Sequence, residues 1–375
     1  MWGLVRFSAH SAHLAGKPQT ENTDLSPSIA LLTFIRLARE DTLMFVVQNY
    51  WVAVAFCVIT MLCWGSWANT QKLAGKRWRF ELFYWDYVFG VMLMALIFAF
   101  TLGSMGSEGR SFLADLKQAD SSSLAWAFAG GVIFNLANLL LVAAIAIAGM
   151  AVAFPVGIGL ALVVGVLVNY LANPAGNPVL LTLGVALIAV AIVLDAIAYR
   201  RLPGGQSAGG TKGLVLSVLC GLLMGTFYLC VAKSMAPGVT NLEAGKLTPY
   251  TAMVAFSLGI LLSNFIFNTT VMKKPFAGDP VPVADYFRGS AQDHLWGIVG
   301  GMIWAIGMTF NIIAAGVAGP AVSYGLGQGA TMVAAIWGVF IWREFREAPP
   351  GTNRLLTLMF IGYVAGLALL IITRL

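Results

Sequence analysis

The side chains of this chain with chemistry to offer are a few amides, indoles and acids set inside long apolar runs. Asn135 and Asn138 stand three apart, which puts both amides on one face of a helix. Asn311, Tyr324 and Gln328 follow in two later runs, and Trp67 and Asn69 close the first one. A polar group in hydrocarbon is costly unless it has a partner or faces a cavity. As cavity walls these residues would hold a neutral solute, with aromatic faces stacked on its ring and amides bonded to its polar rim. As structure they would tie helices together. The wall is the preferred reading for Asn135, Asn138 and Gln328, and the two readings stand level for the others.

Acids are few. Asp86, in Phe-Tyr-Trp-Asp-Tyr, is the first choice for a proton-coupling carboxylate, since an acid beside a membrane cavity can take up and release a proton. Its rival role is an interfacial anchor paired with Arg77 or Arg79. Asp195 reads as snorkelling toward Arg200, and Glu344 as half of a loop salt bridge. Cys57, Cys63, Cys220 and Cys230 sit in apolar runs and read as small buried hydrophobes. No Cys/His spacing suggests a metal, and His294 reads as interfacial.

The elements that must position these residues are membrane spans. A chain that is 59% hydrophobic and 10% charged cannot make a soluble surface. Ten runs are long enough to cross a bilayer: about 50–70, 83–103, 124–147, 150–172, 179–199, 213–235, 248–272, 294–316, 320–342 and 354–373. They are numbered here as spans 1 to 10. Thr248-Pro249 and Asn177-Pro178 are helix starts, while Gly149 and Gly319-Pro320 turn two tight hairpins. Ala129–Gly159 aligns without a gap on Val299–Gly329, with ten of 31 pairs identical and five glycines in register. These are spans 3–4 and 8–9. Five spans separate their starts, so the copies would lie upside down relative to each other. The expected fold is therefore an all-α polytopic membrane protein of ten transmembrane helices in two inverted five-helix repeats, 44–201 and 213–375, joined by a flexible linker at 202–212.

Pro155 breaks span 4 at the position matched by Gly325 in span 9, and Gly157, Gly159 and Gly327 extend the hinge positions. Breaks at matching places in two repeats point to a midplane site. Leaving out the N-terminal tail, whose Arg6, Lys17, Arg36 and Arg39 fall on the other side, thirteen Lys and Arg residues in the odd-numbered loops against five elsewhere put those loops in the cytoplasm and both termini outside. The net charge of +6 then faces anionic lipid, which gives no indication of nucleic acid. Residues 1–43 are polar and read as a disordered leader or a mis-assigned start, with Met44 the better beginning.

Two inverted five-helix repeats with short hairpins resemble the drug/metabolite transporter superfamily, as does the span 9 exit Phe340-Ile-Trp-Arg-Glu-Phe345. The run from Gly131 through Gly159 and the basic loop 1–2 resemble the L-rhamnose–proton symporters and glucose/ribose porters. Tyr84–Gly103 and Ala129–Asn169 are similar to plant ureide permeases, including the Asp-Tyr of span 2. The resemblance to sugar porters implies uptake of a sugar coupled to protons.

The expectation is a secondary active transporter of a bacterial inner membrane, importing a neutral sugar with the proton gradient as its energy source and no cofactor. Its partners would be a small-molecule solute and the bilayer, and a homodimer is compatible with this class. A ureide or nucleobase permease is the alternative, followed by a metabolite exporter and a passive channel. An enzyme would need paired carboxylates, a metal set or a nucleophile–base pair in the spans, and none is present. Gly204–Lys212 lacks the Gly-Lys-Ser/Thr ending of a phosphate loop.

Overall fold

The computed structural model describes residues 43–75, 78–202, 210–238, 242–276 and 278–375. The leader up to residue 42, Lys76, Arg77 and most of the 202–212 linker lie outside these. Among the described residues, ten helices are long and apolar enough to span a membrane. They are Tyr50–Ala74, Phe80–Phe100, Ser121–Ala148, Pro155–Ala172 and Pro178–Arg200, then Thr211–Ser234, Pro249–Lys273, Ala291–Ala318, Pro320–Ile341 and Thr352–Ile372. Each overlaps its predicted run, so the numbering stands. Extended pairing among the described residues is limited to three isolated bridges.

Local chemistry sets the boundaries. Asn177 caps span 5, accepting from the N–H groups of Val179 and Leu180, and Thr248 caps span 7 through Thr251 N–H. Both caps precede a proline at the first helical position, where no N–H is needed. The hairpins turn at Gly149 and Gly319, whose φ values of 75° and 83° suit glycine.

Three spans are not continuous α-helix. Span 1 is interrupted at Trp67–Ala68 and resumes as Asn69–Ala74. Span 4 opens with a wide π-turn, Phe154–Ile158, around Pro155, which lacks an N–H and crowds the preceding turn. Span 9 is helical over Pro320–Gly327, turns at Gln328–Gly329, and continues as Ala330–Ile336 and a second π-turn. The interruption therefore falls three residues beyond Gly325, the position matched to Pro155. Gly325 itself lies within regular helix against Leu370 and Val166.

The repeated glycines explain the closest helix contacts. A Cβ on Gly131 would stand 2.0 Å from the Phe256 carbonyl oxygen, and one on Gly259 would stand 2.1 Å from that of Phe128. These two seat span 3 on span 7. A Cβ on Gly301 would stand 1.9 Å from the Tyr87 oxygen, and one on Gly90 would stand 2.1 Å from that of Ile298. These seat span 8 on span 2. Span 3 also packs on span 6, span 8 on span 1, span 4 on spans 6 and 9, span 9 on span 1, and span 5 on span 10.

Candidate functional site

A cavity of about 360 Å³ opens among spans 1, 3, 4, 6, 8 and 9, with Phe80 of span 2 at its edge. Its inner end lies near mid-span, where Phe134, Phe227 and Trp304 meet; Phe134 and Trp304 ring centroids are 4.4 Å apart. From there it widens along Asn138, Val142 and Ile145 of span 3, Thr331 and Ala334 of span 9, and Trp64 to Gln71 of span 1. All three stretches run toward the loop 1–2 face. The interruptions place the wall: Ile158 comes from the π-turn of span 4, Gln328 from the turn in span 9, and Trp67 and Ala68 from the break in span 1. Among the described residues, no charged side chain lines it.

Three of the expected solute contacts are on this wall: Trp67, Asn138 and Gln328. The Asn138 amide donates to the Tyr84 hydroxyl at 3.1 Å, with no hydrogen bond to its carbonyl oxygen among the described residues. The Gln328 side chain likewise makes none. Trp64 brings an indole N–H that is buried and unpartnered, and its ring lies nearly parallel to Trp304, 11° apart with centroids separated by 6.0 Å.

The other expected contacts are structural. Asn135 is fully buried behind Tyr84: its Oδ1 accepts from Tyr84 Oη at 2.9 Å and its Nδ2 donates to Ser263 Oγ at 2.8 Å. It ties span 3 to spans 2 and 7. Asn69 donates to the Ser66 carbonyl and accepts from Trp342 Nε1 at 2.6 Å, which joins the ends of spans 1 and 9. Asn311 closes the 8–9 hairpin by donating to the Ser323 carbonyl at 2.9 Å. Tyr324 Oη reaches the carbonyls of Met224 and Ala161 at 3.1 and 3.2 Å, binding span 9 to spans 6 and 4.

Asp86 is off the cavity wall. Its carboxylate accepts from Tyr286 Oη at 2.6 Å and lies 3.0 Å from His294 Nδ1. Among the described residues its partners are thus a histidine and a tyrosine, and Arg79 pairs with Glu81 at 2.7 Å; Arg77 lies outside the described residues. Burial and the neighbouring Asp86 raise the Tyr286 phenol above its ordinary range, which keeps it a donor. Glu344 does form a salt bridge, with Lys72 at 2.8 Å. The four cysteines are free thiols.

A second cavity, about 620 Å³, lies on the opposite face, bounded by Asn169, Lys233, Lys246, Ile312, Ala315 and Pro320 among others. On span 6 Met224 and Phe227 face the first cavity, and Leu229 and Ala232 the second. Tyr228 lies between, bonded to Ser323 Oγ at 3.0 Å. Asn311, Ser323 and Tyr324 occupy the same intermediate level of spans 8 and 9, so these four residues form the layer between the cavities.

Sequence reasoning missed the aromatic half of the wall, Phe134, Phe227 and Trp304, together with Gln71 and Thr331. One signal was available, because Phe134 and Trp304 occupy the same position of the repeated hairpin.

The ureide permease family model matches residues 83–202 and 208–373 of this chain. The chain belongs to the ureide permease family. Among similar proteins, ureide permease 1 of Arabidopsis thaliana is 23% identical, across 87% of this chain and 98% of its own length. A probable ureide permease A3 of Vigna unguiculata is 23% identical, across 79% of this chain and 96% of its own. A crystal structure of a protein matches with a TM-score of 0.50 at 14% identity, covering 85% of this chain and 96% of that one, a likeness of fold alone. This ureide permease family member is a multi-pass membrane transporter of small solutes and not an enzyme. The family supports the resemblance to ureide permeases over that to sugar porters. The relatives named are plant proteins, so they lend no support to a bacterial inner membrane.

Proposed function

We propose that this chain carries a neutral ureide across the membrane, lodged in the 360 Å³ cavity between the indoles and the amides of Asn138 and Gln328. One observation carries the reading: the wall combines aromatic faces and the three amides of Gln71, Asn138 and Gln328, with no charged side chain among the described residues. A ureide such as allantoin is uncharged and presents N–H and C=O groups side by side, the spacing at which a primary amide both donates and accepts. Its ring face suits Trp64 and Trp304. An anionic solute would need a cation in the wall.

Transport would proceed by alternating access between two inverted repeats. Exchanging each span of the first five with the span five later turns 3-on-6 into 8-on-1, 3-on-7 into 8-on-2, and 4-on-6 into 9-on-1, all of which occur. The same exchange relates Val142 and Ile145 of the first cavity to Ile312 and Ala315 of the second. Both relations support a cavity that opens in turn to either face, with the basic loops on the cytoplasmic side.

Binding by the purified chain tests the solute. Thermal-shift titration should show stabilisation by allantoin and other ureides and none by rhamnose or glucose. Stabilisation by the sugars alone would return the sugar reading.

A further inference from the structure

A buried acid outside both cavities has no salt-bridge partner among the described residues. Asp195, in span 5, is 3% exposed, and its Oδ1 is sealed from solvent with no hydrogen bond among the described residues. Three groups face it. Tyr199, one turn on in the same span, donates its hydroxyl to Glu344 Oε2 at 3.0 Å. Glu344, at the exit of span 9, interacts with Asp195 electrostatically and is held at 2.8 Å by Lys72 of span 1. Tyr363 of span 10 is fully buried, with a hydroxyl that has no hydrogen-bond partner either. Span 4, also packed on span 5, contributes no charged side chain.

An ionised carboxylate cannot stay in such a place uncompensated: it needs a proton, a cation or a donor. The donors at hand are the Tyr363 hydroxyl and, after a rearrangement, that of Tyr199. Tyr363 also lies beside Thr331, which is on the wall of the solute cavity. Electrostatic interactions and hydrogen bonds thus link Thr331, Tyr363, Asp195, Tyr199, Glu344 and Lys72 in turn, from the cavity wall to the salt bridge at the loop 1–2 face. Asp86, by contrast, is already satisfied by Tyr286 and His294 and touches neither cavity.

We infer that Asp195 is the proton-binding site of this transporter, read out to the solute cavity through Tyr363 and Thr331 and to solvent through Glu344 and Lys72. Taking a proton from water neutralises the carboxylate and lets it sit buried beside Glu344. Returning the proton to water restores a charge that must find Tyr363, Tyr199 or solvent, which displaces span 10 or the span 9 exit. The inference rests on the transporter reading and not on the identity of the solute.

The test uses the full chain in liposomes with two readouts. The first, without solute, is the infrared C=O band of a protonated carboxylic acid followed through a pH titration. Wild type and Asp86→Asn should show the band, and Asp195→Asn should lose it. The second is allantoin movement: Asp195→Asn should keep counterflow within about twofold of wild type, the size of a change that leaves the solute's own contacts in place. It should lose accumulation driven by a pH gradient. If Asp195→Asn retains the band and still concentrates solute, the inference is overturned; if Asp86→Asn alone loses both, the site is Asp86. Should Asp195→Asn fail to reach the membrane, Tyr363→Phe serves instead, expected to shift the midpoint of the band. An unshifted midpoint with unchanged transport would overturn the link to the cavity. If wild type moves no allantoin, the ureide reading fails while the infrared arm still decides the proton site.

Discussion

Asn135 and Asn138 share a helix face and have different roles, because Tyr84 stands between them. Its hydroxyl donates to Asn135 and accepts from Asn138, so one amide is sealed behind the ring and the other is left at the wall. Replacing Asn138 or Gln328 with alanine should raise the apparent KM by roughly three- to tenfold, the worth of one neutral hydrogen bond, with protein yield unchanged. Asn135→Ala should instead cost about 1–3 kcal/mol of stability by removing the acceptor of the buried Tyr84 hydroxyl and a donor to Ser263, read as an earlier thermal unfolding in detergent. The face was legible in the sequence from spacing alone. Which amide the neighbouring helix covers was not, since that depends on how span 3 is rotated against spans 2 and 7. The aromatic wall was hidden for a related reason: Phe and Trp in an apolar run look the same whether they meet lipid, core or cavity.

Among the elements, the glycines divide into two groups that sequence could not separate. Gly131 and Gly301 meet a facing carbonyl at about 2 Å from any added Cβ, so alanine at either must push two spans apart. Both variants should fail to yield folded protein. Gly157 and Gly159 have no neighbour within 3.5 Å and 3.9 Å of such a Cβ, so alanine fits there. Those variants should fold, and a lower turnover with unchanged solute affinity would mark the span 4 break as a hinge. Wild-type turnover would make the π-turn a fixed part of the wall. The ten spans, their caps and the hairpin turns were readable because hydropathy, Asn/Thr caps and Pro/Gly positions are local signals. The true break in span 9 was not, since Gln328–Gly329 carries no proline to mark it.

For the whole molecule, the two cavities and the Tyr228–Ser323–Asn311–Tyr324 layer between them amount to a pathway closed at one level. In a cysteine-free background that keeps uptake activity, single cysteines at Ala334 and Ala315 would report on the two sides. Adding ureide should change their reactivity toward a membrane-impermeant thiol reagent in opposite directions. Simultaneous high reactivity at both positions would indicate a continuous pore. The family match favours a ureide over the sugar suggested by the sequence motifs. Those motifs are largely the glycines of the frame, which carry the fold and say little about cargo.

The central claim is that the wall formed by Asn138, Gln328 and the indoles holds a neutral ureide during transport. It is tested most directly by uptake of labelled allantoin into liposomes containing the full chain, compared with Asn138→Ala and Gln328→Ala. The expected result is saturable uptake, competed by unlabelled ureides and not by rhamnose, with KM raised in both variants at equal protein content. Uptake competed by rhamnose, or variants that transport with wild-type KM, would contradict it.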